Sequence, residues 1–256
     1  SLLISVFCLL LLLLLTVFFP ILLPFTILII LFPFPLLFLA TFIRYIPDEL
    51  IDRPLKVKFT RQLVDSLPHL AIIGITGSFG KTSTKDFLFE ILNRHKPTVK
   101  TPQSFNTVLS IAKVIKLELL SKTRFFICEM AAYKRGEIKE LTQEVNPKFA
   151  ILTAIGSQHL ERFKNLKNTT LAKFEPIDAV PPENALVNLD NDLIKPRLSL
   201  PQYHHLNTYS LLDPRATFFV KKYQLTPGGI NFALIYQQKA FSFTTSLFGT
   251  SNLQNL

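Results

Sequence analysis

Cysteine is nearly missing from this chain of 256 residues: there are two, Cys8 and Cys128. That excludes a disulfide framework and offers no metal-ligand spacing, and it fits a reducing compartment. Glycine is scarce as well, with eight residues, and three of those fall between Gly74 and Gly80. Charge is absent from residues 2–43. No aromatic-interleaved basic motif or recognition helix is present, so the net charge of +10 does not point to nucleic acid. Lysine and arginine are scattered, except for Arg44, Arg53, Lys56, Lys58 and Arg61, which follow the uncharged run. That cluster reads as the basic flank of a membrane segment.

The uncharged run is too long for the core of a signal peptide and lacks a small-residue cleavage site. One spanning helix takes about 20 apolar residues, so the run has room for two. Pro20 and Pro24 would form the tip of a helical hairpin, and Pro33 and Pro35 would kink its second half. A re-entrant or partner-packed hairpin fits the proline density equally well. The basic flank places the following residues on the cytoplasmic side of a membrane. The expected organisation is a membrane segment over residues 1–43, a basic linker over 44–69 with an amphipathic piece at 57–67, and a nucleotide-binding domain over 70–256. The chain starts at Ser1 and stops at Leu256 inside what reads as a helix start, so it is expected to be a piece, open at both ends.

The most informative stretch is Gly74-Ile-Thr-Gly-Ser-Phe-Gly-Lys-Thr82. It follows a short apolar run and opens a helix-like segment over residues 81–93. Strand, glycine-rich turn, lysine, hydroxyl and helix make a phosphate-binding loop. Gly77 and Gly80 let the backbone curl so that N–H groups, including that of Ser78, meet an anion. The helix N-terminus, with Ser83 in its first turn, adds its dipole and unpaired donors. Lys81 can reach the β- and γ-phosphates, and Thr82 can hold a magnesium ion. The pattern departs from G-x-x-x-x-G-K-[ST] in having Ile75 where the first glycine belongs, which makes the loop a shorter variant. An ordinary glycine turn before a helix is the alternative.

Downstream, short apolar runs alternate with helical patterns. Strands are expected at 71–75, 98–100, 125–130, 149–155 and 185–189, with helices at 81–93, 105–120, 136–145 and 169–179. This predicts an α/β fold, a P-loop parallel sheet with helices on both faces. Residues 217–223, 230–236 and 240–247 read as a small antiparallel β-meander, turning at Gly228-Gly229 and at Gln237-Gln238-Lys239.

Several polar residues fall where such a sheet keeps its ligands, beyond the strand C-termini. Glu129 ends an apolar strand and could bind the magnesium of the phosphate loop; a surface carboxylate is the alternative. His159 follows the next strand, Lys173 lies on the helix after it, and Asn106 sits at another strand-to-helix turn. Each would be ordinary alone, and their joint placement singles them out.

These residues form ordered blocks: Gly-Ile-Thr-Gly-Ser-Phe-Gly-Lys-Thr-Ser-Thr-Lys85, Thr-Pro-Gln-Ser-Phe-Asn106, Cys-Glu-Met-Ala-Ala-Tyr-Lys-Arg-Gly-Glu-Ile138 and Ile-Gly-Ser-Gln-His-Leu-Glu-Arg-Phe163. Ala-Lys173-Phe-Glu175, Asn188-Leu-Asp190 and Gly249-Thr-Ser-Asn-Leu-Gln-Asn255 continue the order. From residue 72 onward the chain resembles the central ATPase domain of the Mur ligase family. Within it, the chain is most similar to the branch that joins D-alanyl-D-alanine to UDP-N-acetylmuramoyl-tripeptide. The resemblance implies ATP and Mg2+ as cofactors, with Lys81 on the phosphates and Thr82, Glu129 and His159 on magnesium. Asn106 and Asn255 would contact nucleotide, and Lys173 matches the lysine that family members carbamylate. It also implies amide formation through an acyl phosphate, with a muramoyl-peptide-like carboxylate acceptor and an amino acid or dipeptide donor, in peptidoglycan precursor synthesis.

The chain departs from the family at Gln103-Ser104, where Gly-Asn is usual, and at Ala131, where glycine is usual. The uncharged run takes the place of the family's N-terminal sugar-nucleotide domain, which raises the expectation of a membrane partner and a lipid-linked acceptor. Another amide ligase of the superfamily, and a membrane-bound nucleotide-binding scaffold without catalysis, are the other readings.

Overall fold

The computed structural model describes residues 5–11, 14, 31, 33–47, 53–102, 105–131, 136–157 and 165–256. The chain divides into two compact units, Ser1–Leu55 and Lys56–Leu256. In the first, residues 5–11 are helical and helix α1 spans Pro33–Pro47. The expected membrane hairpin is corrected here: among the described residues, no helix is long and apolar enough to cross a membrane. Helix α1 has 15 residues, about 22 Å of rise against a hydrocarbon core of about 30 Å, and it includes Arg44. Pro33 and Pro35 stand in the first turn of the described span, where a missing N–H is tolerated. Pro20 and Pro24 lie outside the described residues. The expected membrane location, with the nucleotide domain on the cytoplasmic face, falls with the spanning helices it depended on.

In the second unit, the amphipathic piece near residue 57 belongs to helix α2 (Arg53–Asp65). Its Val57, Leu63 and Val64 pack with Leu67 against the main core. Strand β1 (Ala71–Thr76) leads into α3 (Lys81–Asn93), β2 (Thr98–Lys100), α4 (Val108–Glu118), β3 (Phe125–Glu129), α5 (Glu137–Val145) and β4 (Phe149–Leu152). Then come α6 (Leu166–Asp178), β5 (Ala185–Asn188), the short α7 (Lys195–Leu198) and β6 (Asn207–Ser210). Three long strands follow, β7 (Phe218–Thr226), β8 (Gly229–Tyr236) and β9 (Lys239–Thr245), before α8 (Thr250–Asn255). All the strands form one nine-stranded sheet in the order β2-β3-β1-β4-β5-β6-β7-β8-β9. Pairing is parallel up to β7 and antiparallel from β7 to β9.

The period of two along the strands sorts the core onto both faces. Ile72, Phe126, Cys128 and Met130 meet α4 and α5 residues such as Ile111, Ile115, Leu141 and Val145. Ile73, Ile75 and Ile127 meet Leu88, Phe89 and Leu92 of α3. Ala150 and Leu152 of β4 meet Phe174 and Ile177 of α6. Strand order reverses at β1, which has β3 on one side and β4 on the other. Ligands in such a sheet sit beyond the C-terminal ends of the strands at that reversal, which here are β1 and its neighbours β3 and β4.

The expected antiparallel meander is continuous with the parallel sheet. The four residues Asn-Thr-Tyr-Ser of β6 pair with β5 on one side and β7 on the other, and so join it to the parallel sheet. The β8–β9 turn is made by Gln237 and Gln238, with φ of 48° and 63°. This is the left-handed pair that a two-residue hairpin requires, built without glycine or asparagine.

Candidate active site

The phosphate-loop sequence forms the loop it predicts, between β1 and α3. Gly77 and Gly80 have φ of 151° and 82°. At both, a side chain is excluded by neighbours as well as by backbone: a Cβ on Gly77 would strike the Thr153 hydroxyl, and one on Gly80 the Asn255 amide. The segment after β4 fastens the loop from outside. The Ser78 N–H donates to the Ala154 carbonyl at 2.6 Å, and the Gly156 N–H donates to Ser78 Oγ at 3.0 Å. Thr153 Oγ1 lies 3.2 Å from the Thr76 carbonyl and 2.5 Å from that of Phe79. On the other side, Thr84 Oγ1 donates to the Asn255 carbonyl at 3.0 Å, which ties α8 to α3.

At the mouth of the loop, Lys81 Nζ lies 3.4 Å from the Ser78 carbonyl. Thr82 Oγ1 donates to Glu129 Oε2 at 2.9 Å, and Lys85 Nζ pairs with the same oxygen at 3.1 Å. Glu129 is held from behind, its N–H donating to Thr101 Oγ1 at 3.1 Å. The strand end thus presents a carboxylate directly beside the loop hydroxyl.

Lys173 is 4 % exposed, and its ammonium is pushed down to about 7, by burial first and by the Lys81 charge second, with Glu129 opposing the shift. Lys81 is held below its ordinary value by burial first and by Lys85 last, against the pull of Glu129. A folded-state value of about 7 against 10.5 in the unfolded chain means that unfolding takes up a proton between those limits. Stability from this group is therefore fully present above pH 10.5 and lost as pH falls through 7. Lys173→Met is expected to remove a rise in stability on the order of 4 kcal/mol between those limits. Urea titrations of wild type and variant at pH 6 and pH 9.5 check this; parallel curves at the two pH values would place the lysine in water.

Among the sequence-selected residues, the structure brings Gly77, Ser78, Gly80, Lys81, Thr82, Ser83, Glu129 and Asn255 to one edge, and Lys173 couples electrostatically to Lys81 and Glu129. Ser78 is buried and spends its hydroxyl on the loop after β4. Asn106 stands beside the exit of β3, its carbonyl accepting from the Ala131 N–H at 3.4 Å. His159 lies outside the described residues. The sequence reading missed Lys85, Thr101 and Thr153. Lys85 is four residues after Lys81, on the same helix face. Thr101 and Thr153 each stand one residue past a strand C-terminus, the same kind of position that drew attention to Glu129.

Comparison with known proteins gives a consistent result. The model of the Mur ligase middle domain matches residues 75–256. The UDP-N-acetylmuramoyl-tripeptide–D-alanyl-D-alanine ligase of Synechocystis sp. is 34% identical over 126 residues, 49% of this chain and 28% of that protein. The enzyme of the same name from Bacillus subtilis is 30% identical over 121 residues, 47% of this chain and 26% of that protein. The chain spans less than a third of the length of these curated relatives. Among solved structures, MurF from Acinetobacter baumannii superposes with a TM-score of 0.70 at 27% identity, over 79% of this chain and 44% of that one. MurF from Thermotoga maritima, in complex with ADP, gives 0.70 at 24% identity over 79% and 47%.

Proposed function

Because this chain belongs to the Mur ligase family through its middle domain, we propose that it is the ATP-binding catalytic part of an amide ligase. The reaction joins D-alanyl-D-alanine to a UDP-N-acetylmuramoyl-tripeptide in peptidoglycan precursor synthesis, the activity named for relatives such as that of Synechocystis. One observation carries this reading: Lys81 and Thr82 of a strapped phosphate loop stand beside the Glu129 carboxylate at the end of the neighbouring strand.

The residues present fit a magnesium ion. Thr82 Oγ1 and Glu129 Oε2, 2.9 Å apart, are hard oxygen donors, and magnesium takes one or two carboxylates together with phosphate oxygens. Bound there, the ion supplies neutralisation of the phosphate charge. His159 would complete the set.

The rest of the work belongs to the chain's own groups. The loop N–H groups and the start of α3 orient the phosphates, and Lys81 balances charge that develops on the γ-phosphate. The tripeptide carboxylate attacks the γ-phosphorus as the bond to ADP breaks, which gives an acyl phosphate. The amine of D-alanyl-D-alanine then attacks the acyl carbon, loses a proton and expels phosphate. Asn106 and Asn255 contact the nucleotide. The neutral Lys173 amine takes up carbon dioxide: a nitrogen–carbon bond forms, one proton leaves, and the neutral amine becomes an anionic carbamate inside the site.

The test is ADP release by the full-length protein. It is expected only when ATP, UDP-N-acetylmuramoyl-tripeptide and D-alanyl-D-alanine are all present, with the pentapeptide product seen by mass spectrometry. Release with a different amine, and none with D-alanyl-D-alanine, would move the protein to another ligase of the superfamily.

A further inference from the structure

Lys85 is a third lysine in a site that the reading above equips with two, Lys81 and Lys173. It is the one buried residue of α3, and its side chain is 1 % exposed. Long cationic side chains are rarely so enclosed without a partner, and its partner is informative. It takes Glu129 Oε2, the same oxygen that accepts from Thr82. That oxygen faces the hydroxyl that would hold the ion, so the lysine and a divalent cation compete for one acceptor. Lys81 and Lys173 also lie within electrostatic reach of Glu129. Among the described residues, the mouth of the loop therefore gathers three amines around one carboxylate.

We propose that Lys85 is an internal counter-cation that holds Glu129 in the nucleotide-free protein and keeps free divalent ions out. The ion then enters only with a polyphosphate, whose negative charges reverse the sign of the site. This inference rests on reading Thr82 and Glu129 as the ion site. Lys85 acts through Glu129 and is a positioning residue. A second cation beside Lys81 also favours the incoming phosphates at long range, so nucleotide capture and ion exclusion come from the same charge.

Equilibrium dialysis with Mn2+ as the probe tests this on the whole protein. Wild type is expected to bind Mn2+ at least ten-fold more tightly with ADP than without it. Lys85→Met is expected to raise the affinity for Mn2+ without nucleotide by at least ten-fold and so narrow that gap. Lys85→Arg, which keeps the charge, is expected to behave as wild type. Equal Mn2+ binding by wild type with and without ADP would overturn the proposal, and that measurement needs no variant to fold. A folded Lys85→Met with wild-type exclusion would overturn it as well. If Mn2+ with ADP bound no more weakly to Glu129→Gln than to wild type, the ion-site reading itself would fail, an outcome separate from either of these.

Discussion

Lys81→Ala is expected to lower ATP turnover by roughly 10²- to 10³-fold, the loss seen when one group that stabilises transition-state charge is removed. The fold is expected to stay intact. Lys81 makes one long hydrogen bond to a loop carbonyl, at 3.4 Å, so little structure depends on it. Its charge also sits uneasily in the folded state: burial, and to a lesser degree Lys85, hold its ammonium below the ordinary lysine value. A lysine held low in the folded state weakens the fold at neutral pH, so its loss carries no stability penalty of its own. ADP release and thermal melting measured on the same preparation check both halves. Turnover at the wild-type rate would remove the phosphates from this loop.

Glu129→Ala is expected to have the largest effect on stability. The variant loses the carboxylate that faces a buried ammonium at 3.1 Å, where the side chains are 1% and 5% exposed. Breaking such a pair by removing one partner costs about 3–5 kcal/mol, which for a domain of this size lowers the melting temperature by roughly 10 °C. Replacing both partners, as in Lys85→Met with Glu129→Leu, is expected to recover most of the loss, because the desolvation of two charges goes with them. Differential scanning calorimetry of the two single variants and the double variant checks this. Additive losses in the double variant would show that the two side chains do not act as a pair.

Much of this is legible in the sequence. Apolar strands and the glycine loop are local signals, and α3 and β2 have the bounds their residues predict. What was not legible depends on distant contacts. Helix α4 starts at Val108 and not at 105, because the Ser110 hydroxyl accepts from the Thr107 N–H at 3.0 Å and caps it there. Strand β4 stops at Leu152, short of the expected 155, because the Thr153 side chain turns to the loop carbonyls. Strand β6 has polar side chains and no apolar run, so only its two neighbours reveal it. In the site, Lys81, Thr82 and Glu129 are recognisable from local pattern. Lys85 reads on paper as one more solvated helix lysine, and only the position of Glu129, 44 residues further on, gives it a role. The expected spans fall largely on residues outside those described, and among the described residues no helix is long and apolar enough to cross a membrane.

The loop that seems most local in the sequence is among the least local in its making. Its fastenings come from Gly156, 78 residues away, and its helix is tied to Asn255, 171 residues away. On a ribosome adding about 5–20 residues per second, the loop waits roughly 10–30 s for the last of these partners. Until then the loop has its ties to residues 153–156 but lacks the one that fastens its helix to Asn255. Competence for nucleotide therefore comes late in the life of the nascent chain, after the whole sheet has been made, and the ligand can reward only molecules that have finished folding.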